Sequence, residues 1–478
     1  MKLSRTINKN SLESFKTRKF KTIFDSKPLF IALMFFLAVM FGLLCGNNAI
    51  LAIAFLVIPI IVLIIYNPVY AFYIFVASLP LYVIPVSPGA AVTGSIPRLV
   101  GIVLFTVWAP YIFFTRKFIR IKWDEFLIIM LIFFGWMLIS AVWSIYMEKG
   151  YIILRTTSQL ILALFIAITL VNKPDKFSHM VLIVLFTCML AGFRSFMISF
   201  QIEERAVGIE GFDQNEFAAM LLAPMMISFS LFSYHKSLVK SSAHIVVALG
   251  CFLGALATVS RGFAISVLAA CLSLVIIEPK RKKLIIFLII AFLVSSPYYV
   301  QKYAERLGTE RFEVSSATDL PSGRAAIWKL GIEVLKNHPI IGVGIGGFQM
   351  AYDQELEKDP TRVYHGIYHR VAHNDYLLIS AELGLVGLFL WLFFIRIVFR
   401  KGFRSLKIFE AVKDDYLAAV TRGVIAGLIG LLVASFFLGL YHSKYMWLLL
   451  MFYALLGNLA KDYQASSKDE SLKELPEP

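Results

Sequence analysis

The sequence predicts an all-α fold: a polytopic membrane protein of about 12–14 transmembrane helices with one large extracytoplasmic loop containing short helices. Three observations predict it. Hydrophobic residues make up 59% of the 478 residues and charged residues only 16%, with a mean hydropathy of +0.76. Soluble chains carry roughly 25% charged residues, so this chain lacks the polar surface to cover a globule in water. Apolar runs such as 28–45, 49–66, 284–296 and 376–395 reach or approach the roughly 20 residues that cross a bilayer as helix. Finally, the net charge of +15 is concentrated in short connectors between those runs, the pattern by which loops are retained in the cytoplasm.

The elements follow in order. An arm, 1–27, carries Lys2, Arg5, Lys9, Lys16, Arg18, Lys19, Lys21 and Lys27, and is too long and too charged ahead of its apolar run to read as a cleavable signal peptide. Spans are predicted at 28–45, 49–66, 69–86, 99–115, 126–145, 156–171, 178–200, 215–234, 243–259, 262–277, 284–300, 376–399, 416–440 and 445–460. Alternating sides from a cytoplasmic N-terminus puts the basic connectors 116–125, 172–177, 235–242, 278–283 and 400–415 all inside. One span wrongly placed in the middle would have sent the later basic clusters outside. If two short segments are re-entrant the count falls to about 12, and both termini stay cytoplasmic in a multi-pass protein of the cell membrane.

The resulting organisation is the cytoplasmic arm 1–27, an N-terminal transmembrane bundle 28–300, the extracytoplasmic loop 301–375, C-terminal transmembrane helices 376–460, and a cytoplasmic tail 461–478 polar enough to be disordered. Nucleic acid is not an expected partner, because the basic clusters alternate with apolar spans. Cys45, Cys188, Cys251 and Cys271 fall in or beside apolar segments without CxxC spacing, which suggests neither disulfides nor a zinc site. They read as small lipid- or helix-facing residues.

The loop 301–375 carries nine Lys/Arg, ten Asp/Glu and four of the eight histidines. Connections longer than about 15 residues tend to be functional or disordered, and this one reads as ordered. Residues 322–338 predict a helix that Ser322 caps and His338-Pro339 ends.

Ionisable groups beside apolar spans are costly and are therefore candidates for function. Arg98, Arg155, Arg194, Arg205 and Arg261 fall near the outer ends of their predicted helices. There a planar guanidinium suits a fixed anion, although snorkelling to lipid headgroups is the ordinary alternative. Arg261 stands out, in the tight turn Ser260-Arg261-Gly262. Arg324 lies four residues before Trp328, on the same face of the predicted helix and near its N-terminus, where helix stabilisation would favour an acidic residue.

His365, His369 and His373 have i, i+4, i+8 spacing, which would stack three imidazoles for a metal. However, Gly366 and two aromatics make the segment a poor helix and no carboxylate has companion spacing, so no metal is expected. A single histidine acting as general base is the better reading, and His373 is best placed, where the loop re-enters the membrane. The glycine-rich stretch Gly342–Gly347 lacks both the strand and the lysine of a nucleotide loop and reads as a flexible or close-packed segment. Glu382 would face away from His373 on a straight helix.

Several fragments together resemble the O-antigen ligase and O-antigen polymerase family of membrane glycosyltransferases. They are Ser260-Arg261-Gly262 after a span, Gly323-Arg324 with Trp328, Gly342–Gly347 followed by Phe348, and His373-Asn374-Asp375-Tyr376-Leu377 with Glu382, Gly384 and Gly387 behind it. Asp213-Gln214-Asn215-Glu216-Phe217-Ala218 is similar to the family's element ahead of a span. The likeness covers about 210–390; the first 200 residues match in hydropathy alone.

The resemblance implies about 12 spans, a large external loop, and metal- and cofactor-independent transfer of a glycan from an undecaprenyl-pyrophosphate carrier to an acceptor hydroxyl. It implies catalytic roles for His373, Arg324 and Arg261. Arg194, Arg205, Asn215, Trp328, Asn374 and Glu382 are expected to contact pyrophosphate or glycan. The partners expected are the lipid-linked glycan and membrane lipid, with a flippase and a chain-length regulator as candidate protein partners.

Within that reading, a polymerase of lipid-linked repeat units is preferred on general frequency for O-antigen, capsule, exopolysaccharide or teichuronic-type polymer. The alternative is a ligase that moves finished glycan to a lipid or protein acceptor. A transporter of lipid-linked glycan is disfavoured, because transporters place binding groups near the midplane between related halves, whereas here the polar groups crowd one face.

Overall fold

The computed structural model describes residues 67–81, 96–115, 121–202, 213–234, 238–278, 321–358 and 368–473. The spans expected at 28–45, 49–66 and 284–300, and Arg205, His365 and Cys45, lie outside the described residues. The described helices all belong to the unit that begins at Pro68.

Thirteen α-helices and no strand occur among the described residues: α1 (Pro68–Leu81), α2 (Ile96–Thr115), α3 (Glu125–Ser140), α4 (Met147–Leu170), α5 (Pro174–Ile202), α6 (Gln214–Tyr234), α7 (Leu238–Ala257), α8 (Arg261–Ile277), α9 (Pro321–Asn337), α10 (Phe348–Glu357), α11 (Asp375–Ala411), α12 (Asp415–Ala434) and α13 (Lys444–Lys473). Seven of them, α2 to α6, α11 and α12, are long and apolar enough to cross a membrane, and α1, α7 and α8 are shorter apolar helices. The all-α polytopic fold expected from composition is what forms.

Ion pairs mark one end of the bundle. Asp124 caps α3 by accepting the Leu127 N–H (3.1 Å), and its other oxygen takes Lys401 of α11 (2.6 Å) and Lys461 of α13 (3.0 Å). Burial alone would raise the Asp124 pKa, but the two lysines and the Leu127 N–H outweigh it and hold the carboxyl below its usual range. Glu125 meets Arg400 (3.1 Å), and Arg422 of α12 lies between Glu410 (2.6 Å) and Glu278 after α8 (3.8 Å). Thus the start of α3, the end of α8, the late part of α11, the start of α12 and Lys461 share one level. Neighbouring helices run antiparallel, and the opposite end gathers the starts of α8, α11 and α13.

Two features depart from the sequence expectations and one narrows them. The polar tail predicted from 461 is helical through Lys473, anchored by the Lys461 pair and by Tyr463, whose hydroxyl donates to Asp414 (2.8 Å). Cys188, Cys251 and Cys271 are buried between helices, the helix-facing one of the two placements expected. Lastly, α11 is one span only in hydropathy, because at Gly384 (φ 71°, ψ −177°) its backbone leaves the helical region. A Cβ on Gly384 would sit 2.0 Å from the Ile340 carbonyl oxygen.

The groups freed by that break are taken up by the stretch 339–344. The Ala381 and Glu382 carbonyls accept the N–H groups of Val343 (3.0 Å) and Gly344 (2.8 Å), and the Leu385 and Val386 N–H groups donate to Pro339 (2.9 Å) and Ile340 (3.3 Å). A broken helix survives in a membrane protein where protein atoms re-satisfy its backbone in this way.

Candidate active site

The helix predicted at 322–338 is α9, Pro321–Asn337, and Arg324 lies in its first turn. One turn further, the Trp328 indole N–H donates to the Ala372 carbonyl (3.0 Å). That bond fixes the Arg324 end of α9 beside Ala372 and His373. His373 is half-buried and adopts φ 46°, in the left-handed region that a non-glycine residue occupies at a cost of about 1–3 kcal/mol. The next residue, Asn374, is the N-cap of α11 and accepts the Leu377 N–H (3.1 Å).

Arg261 opens α8 behind Ser260, whose hydroxyl accepts the Phe263 N–H (3.4 Å). The residue ahead of that cap, Val259, has φ 52°, an outlier for a β-branched side chain. Strained backbone therefore adjoins both Arg261 and His373.

The segment 435–443, between α12 and α13, joins these parts. Gly262 abuts Phe437, which a Cβ would meet at 3.3 Å, and Tyr376 packs on Phe436 with ring centroids 4.4 Å apart. Asp375, wholly buried, donates its N–H to the Ser435 carbonyl (2.8 Å) and accepts the Tyr441 N–H (3.1 Å). The residue after Arg261 and the residue three after His373 thus pack on adjacent positions of this segment, Phe437 and Phe436, while Trp328, one turn after Arg324, bonds beside His373.

Glu382 is buried behind this cluster. Its carboxylate accepts the N–H groups of Gly346 and Phe348 (3.3 Å to the latter) and faces the Tyr441 hydroxyl at 3.4 Å. An internal carboxylate, rather than a phosphate, therefore occupies the start of α10. Gly342, Gly344 and Gly346 all have positive φ, and a Cβ on Gly344 would lie 2.3 Å from the Ser144 Cα. The glycine-rich stretch is the close-packed segment expected, pressed between the turn after α3 and the break in α11. Burial, and then the carboxylates of Glu382 and Asp375, push the Tyr441 hydroxyl well above its usual pKa. Burial and the charge of Lys149 lower His442 to about 4.

Of the other residues singled out, Asn215 lies in the first turn of α6, its N–H donating to Asp213 (2.6 Å), and its neighbour Glu216 is within electrostatic reach of Asp375. Asn215 is therefore at the same end. Arg194 is exposed on α5, whose main neighbours are α7 and α1, not the helices that carry Arg261, Arg324 and His373. His369 forms no helical stripe with His373: residues 368–374 are not helical, and its Nδ1 pairs with Asp353 (2.7 Å).

Sequence reasoning missed Asp375, Tyr441 and the packing on Phe436–Phe437. The polar interruption Tyr441-His442-Ser443-Lys444 between two apolar runs was the signal available.

The class these elements define is a polytopic all-α membrane protein whose break in α11 is bonded to the stretch 339–344. Residues 245–392 match the family model described as O-antigen ligase (Wzy_C). The stretch contains Arg261, Arg324, the glycine-rich segment and His373, and it bears out the likeness to the O-antigen ligase and polymerase family. No curated protein matches the chain.

Proposed function

We propose that the protein is a glycosyltransferase that polymerises undecaprenyl-pyrophosphate-linked oligosaccharide repeat units at the outer face of the cytoplasmic membrane. The observation that supports this reading is that the neighbours of the three residues share contacts: Trp328 bonds to Ala372, Gly262 abuts Phe437 and Tyr376 packs on Phe436, within a stretch that matches the O-antigen ligase family model. The end opposite the basic connectors is then the outer one, as the retention of Lys/Arg-rich loops inside requires.

The chemistry follows from the side chains. The acceptor hydroxyl attacks the anomeric carbon of the donor glycan, forming the new glycosidic bond as the bond to pyrophosphate oxygen breaks. His373 takes the hydroxyl proton, a role worth about 10²–10⁴-fold. Negative charge grows on the departing lipid pyrophosphate, and the two guanidinium groups stabilise it, each preorganised donor contributing about 3 kcal/mol. Asn374, Asp375 and Trp328 hold the loop that presents His373, and Asn215 lines the acceptor or glycan side.

A ligase that moves finished glycan to another acceptor uses the same donor chemistry, and the match to the O-antigen ligase family favours it as the second reading. Reconstitution with an undecaprenyl-pyrophosphate oligosaccharide, with and without chelator, tests both. A ladder of product lengths is expected, lost in His373→Ala, Arg324→Ala and Arg261→Ala. A single transferred species indicates a ligase, unchanged products in all three variants remove the catalytic assignment, and loss on chelation alone restores a metal.

A further inference from the structure

A cavity of about 260 Å³ lies between α1, α2 and α4, apart from the cluster of Arg261, Arg324 and His373. Its walls are mostly apolar, among them Phe75, Leu79, Leu104 and Ala163, while Arg98 and Lys444 line it together, with no carboxylate among the described lining residues. Arg98 is in the first turn of α2 and Lys444 begins α13. A cation there opposes the helix dipole, so helix stabilisation does not account for either. Ile102 and Phe105, also in the lining, are exposed on α2 at 60% and 42%, so the cavity has an open, apolar side. Two cations facing one apolar cavity fit a ligand with an anionic head and a hydrocarbon tail. The volume is below the roughly 300–1,000 Å³ of a drug-sized site, enough for a headgroup and the start of one chain.

We infer that this cavity is a binding site for the headgroup and first tail segment of a phosphate-bearing membrane lipid, with Arg98 and Lys444 as the phosphate ligands. Thr156 and Gln159, also in the lining, add polar groups beside them. Lys444 follows the Tyr441 that contacts Glu382 by three residues, so the site adjoins the candidate active site without sharing its arginines. The inference does not rest on glycosyl transfer.

Lipid retention by the purified full chain in neutral detergent, read by native mass spectrometry, tests it with three probes: undecaprenyl phosphate, phosphatidylglycerol, and undecaprenol, which has the tail without the phosphate. Undecaprenyl phosphate is expected to bind at least about tenfold tighter than undecaprenol. Arg98→Gln and Lys444→Gln should each remove about tenfold of that affinity while leaving undecaprenol unchanged. Gly101 lines the cavity and a Cβ there has 3.5 Å to the Phe75 ring, so Gly101→Leu should fill the space and exclude both phosphate lipids. Preference for undecaprenyl phosphate over phosphatidylglycerol identifies the carrier as the lipid; equal binding identifies bulk phospholipid. Both results support the site. Equal binding of undecaprenol and its phosphate, or wild-type binding by Arg98→Gln, Lys444→Gln and Gly101→Leu, overturns it. His373→Ala should bind as wild type, and a loss there matching that of Arg98→Gln would move the lipid to the candidate active site and also overturn the inference.

Discussion

At the basic end of the bundle, carboxylates meet cations: Asp124 with Lys401 and Lys461, Glu125 with Arg400, Glu410 and Glu278 with Arg422. At the opposite end, Asp375 and Glu382 are buried against backbone N–H groups and Tyr441. The first end joins helices through side chains that tolerate exchange. The second joins them through backbone, with the stretch 339–344 bonded into the break in α11 and strained residues at Val259 and His373. The carboxylates of this second end are thus held chiefly by backbone N–H groups and a hydroxyl, those of the first by side-chain cations.

The comparison can be broken by substitution. The largest effect is expected at the backbone-knitted end. Gly344→Val places branched carbon where a Cβ already lies 2.3 Å from the Ser144 Cα, at φ 86°, so the variant should fail to yield a monodisperse protein on size-exclusion chromatography. At the ion-paired end, Asp124→Asn leaves Lys401 and Lys461 without their shared anion and removes about 3 kcal/mol, read as a lower unfolding midpoint in detergent. Adding Lys401→Met should recover part of that loss.

The smallest effect is a pH dependence from His442, whose Nδ1 is buried with no hydrogen-bond partner among the described residues. Its pKa falls from 6.5 to about 4 on folding, so the folded state binds fewer protons. Its contribution to stability is complete above about pH 6.5 and is lost as pH falls from there toward 4. His442→Gln should flatten that part of the stability profile relative to wild type.

Much of this fold was legible in the sequence, and the reasons are local. Apolar length placed α2 to α6 and α12 within a few residues, apart from the start of α4 and the ends of α3 and α12, where the apolar run continues five or six residues past the helix. Ser322 and His338-Pro339 bounded α9 to within one residue. The break in α11 was not legible, because hydropathy averages across Gly384 and the bonds that rescue the break come from residues more than 35 positions earlier in the chain. The helix beyond Lys461 was missed because composition does not register a lysine aimed at Asp124. At the candidate site, Arg261, Arg324 and His373 were singled out because their type suits their position in the sequence. The packing of Gly262 and Tyr376 on Phe437 and Phe436 was not legible, since aromatic residues in an apolar run carry no such signal.

The central claim is that Arg261 on α8 and His373 ahead of α11 act on one substrate. The most direct test measures turnover of the lipid-linked oligosaccharide by wild type, Arg261→Ala, His373→Ala and the double variant. Residues that act as a unit are not additive, so each single change should cost at least about 10²-fold and the double variant little more than the worse single one. Losses that multiply in the double variant, or wild-type turnover in either single variant, would contradict the account.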